Sequence, residues 1–273
     1  MKEWKALVFL FGIVFICGCT IPGLTSTGTG SGLTMTMSLS DSSIDPGTQV
    51  QLALTIKNAG GAKATGIRAD LNGLTQDWSI SPGTSIGIPD LSGADPSHSF
   101  PGDSDAENWI ISPPGLSTQI SYPFSVRLTY NYETSDNVIV RVASFDYTKT
   151  NKITTGVISQ TSTGAPITIN VRAPNAIFSG STVPVFIDFT NSGSGVVQGN
   201  SLNVDVSGSG ISCPKSTVTL IQDNNGVGKN GYLRCTISTS GVSGWGQFTV
   251  QAHTSYTYTI EQFNSITVLA KTS

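Results

Sequence analysis

Hydrophobic and polar residues alternate with a period of two along most of this chain. Leu33, Met35, Met37 and Leu39 alternate with Thr34, Thr36, Ser38 and Ser40, and Val50, Leu52, Leu54 and Ile56 alternate with Gln51, Ala53, Thr55 and Lys57. Successive side chains on an extended strand point to opposite faces, so each run predicts a strand with one buried face. Asp45-Pro46-Gly47 lies between the two runs and Asn58-Ala59-Gly60-Gly61 closes the second. Both groups favour turns, Pro by fixing φ and Gly and Asn by tolerating the left-handed region. Ile67, Ala69 and Leu71 resume the alternation, and no stretch of the mature chain shows a convincing 3.6-residue period.

The pattern occurs twice. Gly47-Thr-Gln-Val-Gln-Leu-Ala-Leu-Thr-Ile-Lys-Asn-Ala-Gly aligns with Gly180-Ser-Thr-Val-Pro-Val-Phe-Ile-Asp-Phe-Thr-Asn-Ser-Gly, which places Asn58 over Asn191. Phe124-Ser-Val-Arg-Leu-Thr-Tyr-Asn-Tyr aligns with Phe248-Thr-Val-Gln-Ala-His-Thr-Ser-Tyr. Two copies of one unit follow, each near the roughly 100 residues of an immunoglobulin-like sandwich. The expected fold is therefore all-β, with tandem β-sandwiches at 33–150 and 166–273 joined by a linker at 151–165. Residues 81–117, rich in Pro, Gly and acidic side chains, read as a loop inserted in the first sandwich with no counterpart in the second.

At these residues the chain resembles CARDB-type and related immunoglobulin-like repeats of archaeal and bacterial surface and S-layer-associated lipoproteins. The resemblance rests on the strand–Asn-x-Gly–strand opening and the late Tyr-x-Tyr segment of each repeat. It implies adhesive or spacer modules rather than catalysts, and it transfers no functional residues.

Ahead of the first strand the chain changes character. Lys2 and Lys5 precede an apolar run from Ala6 to Cys17, shorter than the roughly 20 residues that cross a bilayer and followed by Pro22 and Gly23. The run ends in Ile16-Cys17-Gly18-Cys19, which resembles a lipobox. That resemblance implies a signal peptide at 1–18, removed before Cys19, which becomes the lipid-carrying N-terminus and anchors the protein at the outer face of a membrane. An ordinary secretory signal with two incidental cysteines is the alternative. Residues 19–32 are mostly Thr, Ser and Gly and read as a lipidated flexible tether.

Composition narrows the partners. Charged residues make up 11% of the 273, with 14 basic and 17 acidic side chains and a net charge of −3. Such a chain lacks the basic field that draws nucleic acid, and its partners are expected to be other surface proteins or glycans besides the membrane reached through the lipid.

Few residues suggest chemistry. Gly83-Thr-Ser-Ile-Gly87 matches the G-x-S-x-G nucleophile elbow, but Pro82 and Pro89 replace the strand and helix that such a turn needs, and His98 and His253 are the only histidines. Gly226-Val-Gly-Lys-Asn-Gly231 matches G-x-G-x-x-G but leads into the strand pattern Leu233, Cys235, Ile237 rather than a helix. No catalytic residue is assigned, and the chain is read as a non-enzyme. Asp103, Asp105 and Glu107 alternate in the inserted loop and can converge on Ca²⁺ as oxygen ligands; a solvated acidic loop is the alternative, no other cofactor is expected, and no metal site is established. Trp109 and Trp245, the latter between two glycines, are the candidate exposed aromatics for ligand contact.

Cys213 and Cys235 remain after lipidation of Cys19. In an oxidising compartment, on or beside predicted strands, they are expected to form a disulfide joining neighbouring strands across the Pro214–Gly231 connection. Two cysteines without a nearby histidine do not complete a metal site. The resulting reading is a non-catalytic, lipid-anchored surface module of adhesive, structural or protein-interaction type. The alternatives are a glycan-binding module and an accessory subunit of an exported enzyme complex.

Overall fold

The structure, a computed structural model, describes residues 31–271 apart from 75, 179 and 181. The expected signal peptide, Cys19 and the tether up to residue 30 lie outside the described residues. The described chain is an all-β sandwich fold, and among the described residues no helix is long and apolar enough to cross a membrane.

In the first repeat the strands are β1 (Leu33–Leu39), β2 (Ser43–Ile44), β3 (Val50–Asn58), β4 (Thr65–Asn72), β5 (Ser79–Ser81), β6 (Ser85–Ile88), β7 (Ser104–Ser112) and β8 (Ile120–Ser144). A short helix α1 (Phe145–Thr150) and strand β9 (Gly156–Ser162) follow. The second repeat contains β10 (Ile167–Arg172), β11 (Ile177–Phe178), β12 (Thr182–Asn191), β13 (Val196–Val197), β14 (Ser201–Gly208) and β15 (Ile211–Ser212). It closes with β16 (Thr217–Thr219), β17 (Ile221–Gln222), β18 (Gly228–Ser238) and β19 (Trp245–Val268).

Each repeat builds a small antiparallel sheet from its early strands, in the order β1-β3-β7-β5 in the first and β10-β12-β18-β15 in the second, with β17 also paired to β18. The alternation read from the sequence fits: Leu52, Leu54 and Ile56 on β3, and Val185, Ile187 and Phe189 on β12, are all fully buried.

The remaining strands form one continuous ten-stranded sheet in which β8 and β19 lie side by side. They pair antiparallel along their whole length, from Trp245 opposite Ala143 to Val268 opposite Ile120. At about 3.4 Å per residue this ladder spans roughly 80 Å, more than three times the length of an ordinary strand. The first half of β8 pairs with β4 of its own repeat, while its second half pairs with β9 and β11. On β19 the first half pairs with β14 of its own repeat, and the far end pairs with β2 of the first. Each long strand thus begins in one sandwich and finishes in the other, so the two sandwiches exchange strands within one chain.

Both small sheets cover the same face of the long sheet. Even-numbered residues such as Val126, Leu128, Tyr130, Tyr132, Val138 and Val140 are buried along the whole of β8, as are Val250, Ala252, Tyr256 and Tyr258 on β19. The opposite face is polar and meets solvent, as antiparallel sheets allow.

Two segments differ from the sequence reading. Residues 81–117 are not an added loop: they contain β6 and β7, and β7 runs through the middle of the first small sheet, where it corresponds to β18 of the second. The Pro- and Gly-rich flanks and the acidic side chains hide that strand from a pattern search. The segment 151–165 contains β9, which pairs with Asp136–Arg141 of β8, so it is part of the sheet rather than a connection alone.

Candidate functional site

The two sandwiches meet at a waist built on four tyrosines. Tyr132 lies directly opposite Tyr256, and Tyr130 opposite Tyr258, on the paired long strands. Their rings contact in a ring of four, with centroid separations between 5.8 and 6.4 Å, and all four contacts are edge-on or tilted. Each hydroxyl reaches a backbone or side chain at the end of a small sheet.

The bonds are duplicated. Tyr130 Oη accepts from the Leu33 amide at 3.2 Å, and Tyr256 Oη accepts from the Ile167 amide at 3.3 Å. Tyr132 Oη donates to Asn58 Oδ1 at 3.2 Å and accepts from the Ala62 amide, while Tyr258 Oη donates to Asn191 Oδ1 at 2.8 Å and accepts from the Gly195 amide. The two asparagines, buried, use their amide nitrogens alike: Asn58 Nδ2 donates to the carbonyls of Ala62 and Leu91, Asn191 Nδ2 to those of Gly195 and Gly228. Tyr132 therefore corresponds to Tyr258, two residues beyond the Tyr256 expected from aligning the two phenylalanine-led segments. The shift by two preserves the buried face, and so alternation could not detect it.

Burial pushes the hydroxyls of Tyr132 and Tyr258 up to about 12, against bonds from the Ala62 and Gly195 amides that lower them, and it raises those of Tyr130 and Tyr256 as well. The tyrosines stay protonated at neutral pH and can donate to the asparagines.

Above the waist, on the solvent face, lies a trough of about 640 Å³. Its floor holds Asn131, Glu133, Ser255 and Thr257, the odd-numbered neighbours of the tyrosines, and its walls include Lys63, Thr65, Gln198 and Asn203. The walls turn at Gly66 and Gly199, with φ of 59° and 66°, a region that glycine enters without steric cost. Thr257 Oγ1 donates to Asn131 Oδ1 at 2.8 Å, which leaves the Asn131 amide group to act as a donor. Glu133 Oε2 is 3.3 Å from His253 Nε2, and Lys63 Nζ is 2.9 Å from Asp90 Oδ2. Such a lining, made of amides, hydroxyls and one charge of each sign, can hydrogen-bond a hydroxylated ligand.

The residues singled out in the sequence do not converge on this trough. Trp109 is fully buried on β7, its Nε1 donating to the Gly83 carbonyl at 2.8 Å, and so it is not an exposed ligand-contact aromatic. Alternation along β7 puts it on the core face with Ile111, both fully buried. Trp245 is 44% exposed at the start of β19, with the Arg141 guanidinium 5.7 Å from its ring centroid. Asp105 and Glu107 are spaced along strand β7 rather than folded around a point, and Asp103 accepts from the Ser92 amide at 2.8 Å. That bond, with a second contact to the Ser92 side chain, lowers the Asp103 carboxyl. Among the described residues no group of three or more His, Cys, Asp or Glu is placed to hold a metal ion.

Ser85 lies inside strand β6, where no helix follows it, so the elbow geometry is not formed. His98 Nδ1 sits 2.6 Å from Asp95 Oδ2 on the surface. The Gly226–Gly231 run contributes a turn, in which Asp223 Oδ1 accepts from the Asn225 and Val227 amides, and the start of β18. Cys213 and Cys235 form a disulfide with a Cα–Cα distance of 4.4 Å, linking the end of β15 to its neighbour β18. The sequence reading missed Asn131, Ser255 and Thr257, which only the pairing of β8 with β19 brings together.

No protein-family model and no curated protein matches the chain. Among solved structures, envelope protein VP37 from White Spot Syndrome Virus is 10% identical over 46% of this chain and 98% of that one, with a TM-score of 0.24. Collagen adhesin from S. aureus is 10% identical over 88% of this chain and 96% of that one, with a TM-score of 0.14. Likenesses of this size carry no argument about either fold or function.

Proposed function

We propose that the chain is a non-catalytic, lipid-anchored module of a cell surface, acting in structural or adhesive contacts with other surface proteins. The observation that carries this reading is the exchange of β8 and β19 between the sandwiches. Neither sandwich completes its long sheet without a strand from the other, so the pair moves as one stiff body. A shape that must stay fixed while neighbours pull on it benefits from such interlocking, and the Cys213–Cys235 bridge adds a covalent tie. The lipobox-like Ile16–Cys19 supplies the anchor, and the resemblance to surface-protein repeats points the same way.

The anchor is tested by Cys19→Ser, which is expected to move the protein from the detergent phase to the aqueous phase on phase separation. Unchanged partitioning would refute lipidation at Cys19. Stable retention further needs two acyl chains or an equivalent lipid, because one chain holds only marginally. Pull-down of the solubilised protein then identifies its neighbours, and an exported enzyme as the dominant one would favour the accessory-subunit reading.

A second reading, glycan binding, is supported by the polar trough above the waist. Binding on a glycan array that is lost on Asn131→Ala, with unfolding unchanged, would establish it; Trp245 is the remaining aromatic candidate.

A further inference from the structure

The two halves of the fold differ at one lane of the long sheet. On β8, the edge turned away from β19 is filled by β4, then by β9 opposite Asp136–Arg141, then by β11 opposite Ala143 and Ser144. On β19, the corresponding edge is filled by β14, then by β13 opposite Tyr258 and Thr259, and at the far end by β2 opposite Thr267 and Val268. Between β13 and β2, among the described residues, no strand pairs with 260–266.

The correspondence between the lanes is fixed by three bonds. Tyr130 and Tyr256 accept from equivalent amides, Tyr132 and Tyr258 donate to equivalent asparagines, and the Ala143 amide bonds the Ala176 carbonyl as the Leu269 amide bonds that of Ile44. Asp136, Val138 and Val140 of β8 thus match Gln262, Asn264 and Ile266 of β19. The stretch of β19 without a strand beside it is the counterpart of the stretch that β9 covers.

Side chains there are left unfinished. In the filled lane, Gln160 of β9 donates its amide to Asp136 and to the Ile169 carbonyl. In the other, Gln262, the counterpart of Asp136, has its Oε1 buried with no hydrogen-bond partner. A buried acceptor without a donor destabilises the fold, because it gives up its bonds to water and gains none in return. The Ser265 amide is taken up by the neighbouring Asn264 Oδ1 at 2.8 Å, and Phe263 is 76% exposed.

We infer that this lane of β19 is an acceptor site for an extended segment of another polypeptide, which adds antiparallel between β13 and β2. Main-chain bonds to a sheet edge give affinity, and alternate side chains give selectivity. The chemistry of the guest is read from β9, whose Gln160 lies opposite Val138 and Val157 opposite Val140. The guest carries a hydrogen-bond donor such as Gln opposite Asn264, within reach of Gln262, and an apolar residue opposite Ile266. A second folded copy presenting its own β19 edge does not fit, because antiparallel self-pairing would drive β13 of one copy into β2 of the other. The guest is a single strand from an otherwise unpaired segment. This deepens the protein-interaction reading, though strand addition by purified protein can be measured whether or not the chain is lipid-anchored.

The probe is a capped synthetic peptide with the sequence of β9, Gly156–Ser162, added to the full chain. Hydrogen exchange is expected to show new protection at 261–266 with that of β9 itself unchanged. Proline in place of the Ser159 position should abolish binding, since that residue lies at the centre of the ladder. Leucine in place of the Gln160 position should weaken binding about tenfold, the worth of one buried hydrogen bond. Gln262→Leu in the protein should erase the preference between the two peptides while leaving the fold intact. Lack of binding at millimolar peptide, protection elsewhere, or protection of 261–266 before any peptide is added would each overturn the inference, the last by placing a segment of the chain itself in the lane.

Discussion

Trp109 and Cys235 occupy the same place in the two sandwiches. Trp109 stands opposite Leu52 on β3, and Cys235 stands opposite Val185 on β12, the counterpart of Leu52. Each fastens a central strand to the chain just beyond a short edge strand. Trp109 does so through its Nε1 bond to the Gly83 carbonyl, past β5, and Cys235 through its bridge to Cys213, past β15. One sandwich fills the position with a large ring and a hydrogen bond, the other with sulfur and a covalent bond.

Trp109→Ala should therefore be among the most destabilising single changes in the first sandwich, costing about 3–5 kcal/mol in urea unfolding. Trp109→Phe keeps most of the apolar volume but leaves the Gly83 carbonyl without its donor, and it should cost clearly less than the alanine change. Acrylamide should quench Trp245 and leave Trp109 untouched. A Trp109→Ala protein as stable as the parent would show that the ring is not a core element.

Reducing the Cys213–Cys235 bridge should lower the stability of the second sandwich by about 3 kcal/mol in the chain-entropy description, given its sequence separation of 22. Comparing thermal unfolding with and without a reductant measures the effect, and unreduced tryptic peptides should contain the linked pair. Two free thiols in protein taken from its native envelope would contradict export to an oxidising compartment as well as the bridge.

Because β8 and β19 each serve both sandwiches, a fragment of residues 31–162 and one of residues 163–271 should not fold separately. Each lacks half of the long ladder and would expose an apolar strand face and two raw edges. Mixed or co-expressed, they should restore the native circular dichroism and a cooperative transition. Independent folding of either fragment would show that the exchange is dispensable.

Strand positions and buried faces were legible because alternation reports burial locally, and the Asn58–Asn191 correspondence was visible because each asparagine follows the same run of alternating residues. Strand partners were not legible, since alternation says nothing about which strand lies alongside. One signal was present: the alternation from Phe124 to Tyr132 and that from Val138 to Val142 are joined by the polar Glu133–Asn137 with no Gly or Pro between them, which allows one strand far longer than the usual five or six residues. A strand that long outgrows one sandwich. The burial of Trp109 was obscured by Asp105 and Glu107 at the preceding alternate positions, which made its strand look like an acidic loop. The trough depends wholly on the β8–β19 register and could not be read from either segment alone.

Asp136 makes stability depend on pH in the direction opposite to that of a salt-bridged carboxylate. It is 1% exposed, and burial pushes its carboxyl up to about 6, against the Gln160 bond and the Asn137 amide, which lower it. In the unfolded chain it titrates near its ordinary value of about 3.9. Between those two values the folded protein holds a proton that the unfolded chain has released, so stability falls as pH rises through this window. The loss should approach about 2–3 kcal/mol and level off above pH 7. Asp136→Asn keeps the shape and an acceptor for Gln160 but cannot ionise, so it should flatten the stability profile between pH 4 and 7 and make the protein more stable than the parent at neutral pH. Urea unfolding at a series of pH values checks both effects. A parent profile that rises across this window more steeply than that of Asp136→Asn would mean that the Asp136 carboxylate is stabilised as an anion in the folded protein.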